Sequence, residues 1–278
     1  MDLESVKSGV LNNLKVDYFA EGEVVFSSGE SSNKKLYFIL DGVVSVKRDG
    51  FSPSYTNVVQ KGNFFGEMSL INNFIRNETV VISSGFARII SIIADDFSQT
   101  LRVNKTMLKK LLDSSNNRYN FAIGYYLDRR TEIPQMSTNI LELNEIRKKN
   151  MEITEKIHTP SNMYYEDKSV VYRENDFTKG SFHIVEMGQV TTKRKYSEKG
   201  EYLGILSHEV GDIIGEQAFF GSETRKERAI VTSGRVKLRE INKNAFDKLI
   251  NIQTDIYLNF IKNMLWKSYI LEQKIKSI

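Results

Sequence analysis

Cysteine is absent from the 278 residues, which excludes a disulfide scaffold, a zinc–thiolate site and cysteine catalysis. Histidine is scarce: His158, His183 and His208 are far apart in sequence, which argues against a His-rich metal centre. No run of about 18 apolar residues occurs, so no membrane-spanning helix is expected. The opening residues, MDLESVKSGVLNN, carry acids and no apolar stretch, unlike a secretory signal; a cytoplasmic location is expected. An excess of one charge is also missing. The 39 Lys and Arg against 35 Asp and Glu leave a net +4, too small and too evenly spread to argue for nucleic acid. There is no Gly-x-Ser-x-Gly elbow, Walker loop, pair of catalytic carboxylates or close His-x-His, so the chain is not expected to be an enzyme. The three prolines, with many Lys, Asn and Ile, read as compositional bias.

What is present is a repeat. The length suits two domains of about 139 residues each, and the chain aligns with itself. Gly62-Asn63-Phe64-Phe65-Gly66-Glu67 matches Gly211-Asp212-Ile213-Ile214-Gly215-Glu216, an offset of 149 residues. At the same offset Arg76 meets Arg225, Ser84-Gly85 meets Ser233-Gly234 and Phe97 meets Phe246. Upstream, Phe26 and Gly42 meet Tyr172 and Gly188 at an offset of 146, so the three-residue difference falls in the loop between Gly42 and Gly62 of the first copy and Gly188 and Gly211 of the second.

Each copy begins with short apolar or alternating runs bounded by Gly, Ser, Asn and Asp. Strands are expected over 23–27, 36–40, 43–47, 79–83 and 87–93, and over 169–173, 182–187, 190–196, 229–232 and 236–241. Helices are expected after Asp96-Phe97 and after Asn244, where apolar residues take helical spacing. The fold expected is mainly β: two tandem β-roll, jelly-roll-like barrels, each followed by helices and joined by a helical linker. The boundaries are 1–130 for the first domain, 131–159 for the linker, helical from 140 to 157 and ending near Pro160, and 160–278 for the second domain.

The repeated motif has a chemistry. Gly66 lets the backbone approach a ligand closely, and N–H groups opening the short helix after it attract an anion. Arg76, nine residues beyond Glu67, offers a fork matched to phosphate oxygens. Glu67 can accept hydrogen bonds from sugar hydroxyls. Gly215, Glu216 and Arg225 repeat the set, and together they specify a sugar phosphate.

At these residues the chain resembles the cyclic-nucleotide-binding domain family. Phe65-Gly66-Glu67-Met68-Ser69-Leu70 with Arg76-Asn77-Glu78-Thr79-Val80 is close to the family's phosphate-binding cassette, F-G-E-[LM]-[AS]-L followed by R-x-[AS]-[TS]-[VI]. Ile214-Gly215-Glu216-Gln217-Ala218-Phe219 with Arg225-Lys226-Glu227-Arg228-Ala229 is looser. The resemblance implies that Glu67 and Glu216 take the ribose 2′-OH, that Arg76 and Arg225 take the cyclic phosphate, and that Asn77 and Lys226 face it. It also implies that the trailing helix closes on the base and carries the signal. The ligand expected is cyclic AMP, or cyclic GMP. Tyr119, Tyr125, Tyr126, Tyr257, Trp266 and Tyr269 are base-stacking candidates, with core packing as the plainer reading of each.

Two departures stand out. The small residue two positions after the Arg is Glu78 in one copy and Glu227 in the other; strand neighbours alternate faces, so these acids are free to point away from the phosphate. Arg228-Ala229 offers a second phosphate pair in a shifted register. Site one is therefore expected to bind more tightly, and Arg76→Ala to cost binding while sparing the fold. The implied function is a regulatory sensor relaying ligand to an effector protein not identifiable from sequence, with no nucleic-acid or membrane partner and an undefined oligomeric state. The alternatives are a non-binding interaction scaffold and a DNA-binding regulator; the second is disfavoured because no helix-turn-helix fits before Ile278.

Overall fold

The computed structural model describes residues 15–53, 55–71, 75–93, 105–129, 141–156, 162–178, 180–220, 224–252 and 255–277. The expected helix start at Asp96-Phe97, the linker between 131 and 140, its end near Pro160, His158 and the residues before Lys15 lie outside these. The chain divides into two compact units, one running to Phe121 and including Ile275–Ser277, the other spanning Ala122–Lys274.

The first unit holds β1 (Lys15–Ala20), β2 (Val24–Phe26), β3 (Lys35–Arg48), β4 (Asn57–Gln60), β5 (Phe64–Phe65) and β6 (Glu78–Ile93). Strands β1, β6, β3 and β4 hydrogen-bond in that order, with β2 on β6 and β5 on β3. A 3-10 helix, Glu67–Leu70, follows β5, and helix α1 (Lys105–Arg129) follows β6. The second unit repeats the plan. Helix α2 (Leu141–Lys156) precedes β7 (Asn162–Tyr165), β8 (Val170–Tyr172), β9 (Ser181–Lys195), β10 (Tyr202–His208), β11 (Ile213–Ile214) and β12 (Arg228–Asn242). Here the order is β10-β9-β12-β7, with β11 on β9 and β8 on β12. Helices α3 (Glu216–Phe220), α4 (Lys243–Ile252) and α5 (Asp255–Lys276) complete it. All these pairings are antiparallel. The mainly β architecture of two rolls with trailing helices is the one the sequence implies.

The rolls close because their long strands alternate. On β3 and β6 the inward residues Ile39, Val44, Val46, Val80, Ile82 and Ile89 form one core with Phe26 and Phe65. Their counterparts Val185, Val190, Val231, Val236 and Leu238 pack with Tyr172 and Ile214. Each long strand absorbs two of the expected short ones. Gly42 lies at φ 94, and a Cβ there would meet the Phe86 carbonyl oxygen at 2.7 Å; Gly188, at φ 81, would meet that of Arg235 at the same distance. Chains this close leave no room for a side chain, so the glycine bends a strand rather than ending it.

The helices of the second unit pack on their roll through Phe182, Phe246 and Phe260, whose rings meet edge to face. Helix α2 is pinned to the turn before β11. Arg147 forks onto Asp212, Nε to Oδ1 at 2.9 Å and Nη2 to Oδ2 at 2.8 Å, and Asn150 donates to the Gly211 carbonyl at 2.8 Å. Among the described residues no helix is long and apolar enough to cross a membrane.

Candidate nucleotide site

In the first unit the site is built where β5 turns into the 3-10 helix. Gly66 caps that helix in the left-handed region, φ 69 and ψ 17. The turn drives Glu67 inward, where it is 3% exposed. A Cβ at Gly66 would lie 2.9 Å from Arg76 Nη1, because the Arg76 side chain runs directly beneath the glycine.

Arg76 is not a surface residue. Its Nη1 donates to the Gly66 carbonyl at 3.1 Å, and its Nη2 to those of Ser32 and Lys35 at 3.1 and 2.7 Å. The guanidinium lies 4.1 Å from the Phe26 ring centroid and 5.3 Å from that of Tyr37. It therefore welds the cassette to β2 and β3. This corrects the expectation that Arg76→Ala spares the fold. Truncation strands buried carbonyls and removes an aromatic contact, at about 2–4 kcal/mol. Urea unfolding of the ligand-free variant checks it; an unchanged midpoint would contradict the packing described.

Glu67 faces a cavity of about 200 Å³ whose walls include Arg48, Gln60, Glu67, Glu78, Asn117 and Arg118. The acid at position 78 does not point away, as alternation allows it to. It opens β6 on the inward face, 2% exposed. Arg118, from α1, reaches into the cavity and joins both acids, with Nη1 at 2.7 Å from Glu78 Oε2 and 3.6 Å from Glu67 Oε1. Its Nη2 donates to Asn77 Oδ1 at 3.4 Å, and Arg48 Nε lies 3.5 Å from Glu78. Burial opposes charge on Glu78, but Arg118 and Arg48 outweigh it and hold that carboxyl below its ordinary range. For Glu67 burial prevails over the more distant Arg118, and its pKa is raised.

The second unit rebuilds the arrangement. Gly215 sits at φ 79, Arg225 Nη1 donates to its carbonyl at 2.7 Å, and the guanidinium lies 4.6 Å from the Tyr172 centroid. Tyr172 is the repeat counterpart of Phe26. Glu216 is 1% exposed and pairs with Lys267 of α5, which also donates to the Ile213 carbonyl at 2.6 Å. Glu227 is buried, like Glu78, and burial pushes its carboxyl up to about 7 against the pull of Lys267. Lys226 is exposed; its carbonyl accepts a bond from Arg194 Nε at 2.9 Å. Arg228 lies over Tyr202 at 5.4 Å. His183, counterpart of Tyr37, is pushed down to about 3 by burial and by Arg225, so it is neutral at pH 7.

Each unit thus gathers its glycine, glutamate and arginine, with Asn77 added in the first. Sequence reasoning missed the basic residue of the trailing helix. The signal was available: at the 149-residue offset Arg118 meets Lys267, both on helices and each paired with the cassette glutamate of its own copy, Glu67 or Glu216. Arg48 and Arg194 correspond at the upstream offset of 146. Of the proposed stacking aromatics, Tyr119, Tyr125, Tyr126 and Trp266 are buried, and the Tyr126 hydroxyl donates to the Gly204 carbonyl at 3.2 Å.

Comparison with known proteins decides the family. The model of the cyclic nucleotide-binding domain matches twice, over residues 16–114 and 162–253. The chain belongs to the cyclic nucleotide-binding domain family. Its two matches fall on the two β-rolls, so each roll is a cyclic nucleotide-binding domain. The chain is similar to the cAMP-dependent protein kinase regulatory subunit of Blastocladiella emersonii, 26% identical over 255 residues, covering 91% of this chain and 56% of that protein. It is 27% identical over 106 residues to human cGMP-dependent protein kinase 2, covering 37% of this chain and 14% of the kinase. The chain thus spans about half the length of the first of these relatives and a small part of the second. Among solved structures, the regulatory domain of Toxoplasma gondii PKA with cAMP is 17% identical, with a TM-score of 0.33 over 94% of this chain and 89% of that one.

Proposed function

We propose that the chain is a cytoplasmic regulatory sensor of a cyclic mononucleotide, cyclic AMP in preference to cyclic GMP. It works by binding rather than by catalysis, and passes the bound state to an effector protein. The observation that carries this reading is the doubled linkage from cassette to helix. In both domains the glutamate assigned to the ribose is held by a basic side chain of the trailing helix, Arg118 on α1 or Lys267 on α5. A ribose hydroxyl arriving at Glu67 must share or displace that partner, so the pocket and the helix are energetically linked. The ligand shifts the helix only by its differential affinity for the two arrangements, and the effect is reciprocal: whatever holds the helix also changes affinity.

Under this reading Glu67 and Glu216 accept from the ribose, and Arg76 and Arg225 supply positive charge to the phosphate from beneath their glycines. Asn77 and Lys226 stand beside it. A kinase-type effector is the partner suggested by similarity to a kinase regulatory subunit. Hydrogen exchange with and without cyclic AMP or cyclic GMP tests the relay. Protection is expected to change along α1 and α5 as well as at the cassettes, at lower concentrations of cyclic AMP. A response confined to the cassettes would reduce the protein to a passive binder.

A second reading is favoured by one observation. Both acids of the first pocket are already paired to arginines, which suits a scaffold whose pocket is closed by its own side chains. That reading predicts no nucleotide response at all.

A further inference from the structure

The two cassettes carry the same acids, but their trailing helices do not carry the same base. In the first, Arg118 spans Glu67 and Glu78 together, and Arg48 adds a second guanidinium to Glu78. A guanidinium offers several donors in a planar fork and can serve two carboxylates, whereas an ammonium is a compact point charge. In the second, the counterpart is Lys267, whose ammonium is taken by Glu216 and the Ile213 carbonyl. Glu227 is 4% exposed, and its Oε2 has no hydrogen-bond partner among the described residues. A buried carboxylate oxygen left so is costly while the group is charged.

The groups acting on Glu227 come from every element around it: Lys267 on α5, Glu216 on α3, Arg194 on β9, Arg225 in the cassette, and Tyr172 on β8. Lys267 is committed to Glu216, and Arg194 Nε is bonded to a carbonyl. Arg225 donates to the Gly215 carbonyl and lies over Tyr172.

We propose that Glu227 makes the second site proton-coupled: an anionic phosphodiester ligand binds there with uptake of one proton by Glu227, whereas in the first site the equivalent Glu78, neutralised by Arg118 and Arg48, takes up none. This rests on the cyclic-nucleotide reading above. The balance is simple. The ligand keeps its single negative charge, the proton comes from solvent, and the Glu227 carboxylate becomes a neutral acid able to donate a hydrogen bond. Two anions in one buried pocket repel, and protonating the carboxylate is the least costly relief because that group is already displaced toward neutrality. Affinity at the second site then falls as pH rises above neutrality, approaching tenfold per pH unit, while the first site changes little over the same range.

The test is calorimetric titration of the full chain with cyclic AMP at pH 8, in two buffers of different ionisation enthalpy. Glu67→Ala isolates the second site and Glu216→Ala the first. Uptake close to one proton is expected at the second site and close to zero at the first. Lys267→Arg, which restores the fork, is expected to abolish the uptake, and Arg118→Lys to create it at the first site. Equal, buffer-independent heats at both sites would overturn the coupling while leaving the nucleotide reading intact. Failure of cyclic AMP to bind at either site would overturn both. A carbon-13 titration of the Glu227 carboxyl in the ligand-free protein reads the premise separately: a midpoint near neutrality supports it, and a midpoint in the ordinary acid range overturns it whatever the calorimetry gives.

Discussion

Arg118→Leu is expected to cost the first domain about 3–5 kcal/mol, the usual penalty for removing one partner of a buried ion pair. The reason is specific to this pocket. Arg118 is 1% exposed and is shared by two buried carboxylates, so its loss strips Glu67 of the cation beside it and leaves Glu78 with Arg48 alone. Replacing an acid as well returns much of the stability: Arg118→Leu with Glu78→Gln is expected to unfold at a higher urea concentration than the single variant. The pH dependence has a definite sign. Glu78 is held below its ordinary range, so its contribution is present above about pH 4.5 and lost as pH falls through its folded value. The penalty of Arg118→Leu therefore shrinks in acid. A loss below about 1 kcal/mol at pH 7 would mean that the cluster is solvated like an exposed pair.

Glu227→Gln should instead stabilise the ligand-free protein, increasingly as pH rises. The folded protein binds this proton more tightly than the unfolded chain, with the carboxyl moved from 4.5 to about 7. Its contribution is complete below the unfolded value and is lost as pH rises through the folded one. Glutamine does not ionise and escapes that loss. Between about pH 4.5 and pH 8 the variant gains on the wild type by about 3 kcal/mol, at about 1.4 kcal/mol per pKa unit. Thermal unfolding at pH 5 and pH 8.5 reads it. The equivalent Glu78→Gln is expected to go the other way at neutral pH, because it leaves Arg118 and Arg48 short of a counter-ion. If the two substitutions behave alike, the distinction drawn between Arg118 and Lys267 fails.

Much of the fold was legible because the chain states it twice. The offset of 149 aligns Gly66-Glu67 and Arg76 with Gly215-Glu216 and Arg225 without reference to any strand, and alternation in residues 36–47 and 79–93 marks the roll. Strand ends were less legible. Gly42 and Gly85 look like breaks between short strands, but both lie inside continuous ones, and at Gly42 it is the close approach of the partner strand that calls for a glycine. Strand β1, KVDYFA, was not anticipated: its residues are exposed or half-buried on the sheet edge, so its pattern is weak.

The cassette residues were named from sequence, but their bonding was not. Arg76 reads there as a free cation awaiting phosphate, because nothing local announces that three carbonyls and two rings already hold it. Glu78 reads as a residue on either face of a strand; its direction is fixed by arginines 30 residues before and 40 after it. Such contacts are set by the way the trailing helix packs back on the roll, which no local pattern encodes.

The most direct measurement is a calorimetric titration of the wild-type chain with cyclic AMP at pH 7. Two binding events at micromolar concentrations are expected, one lost in Glu67→Ala and the other in Glu216→Ala, with the folded state retained in each variant. No heat at millimolar ligand from a protein shown to be folded would contradict the account and leave a scaffold whose pockets are filled by its own arginine and lysine.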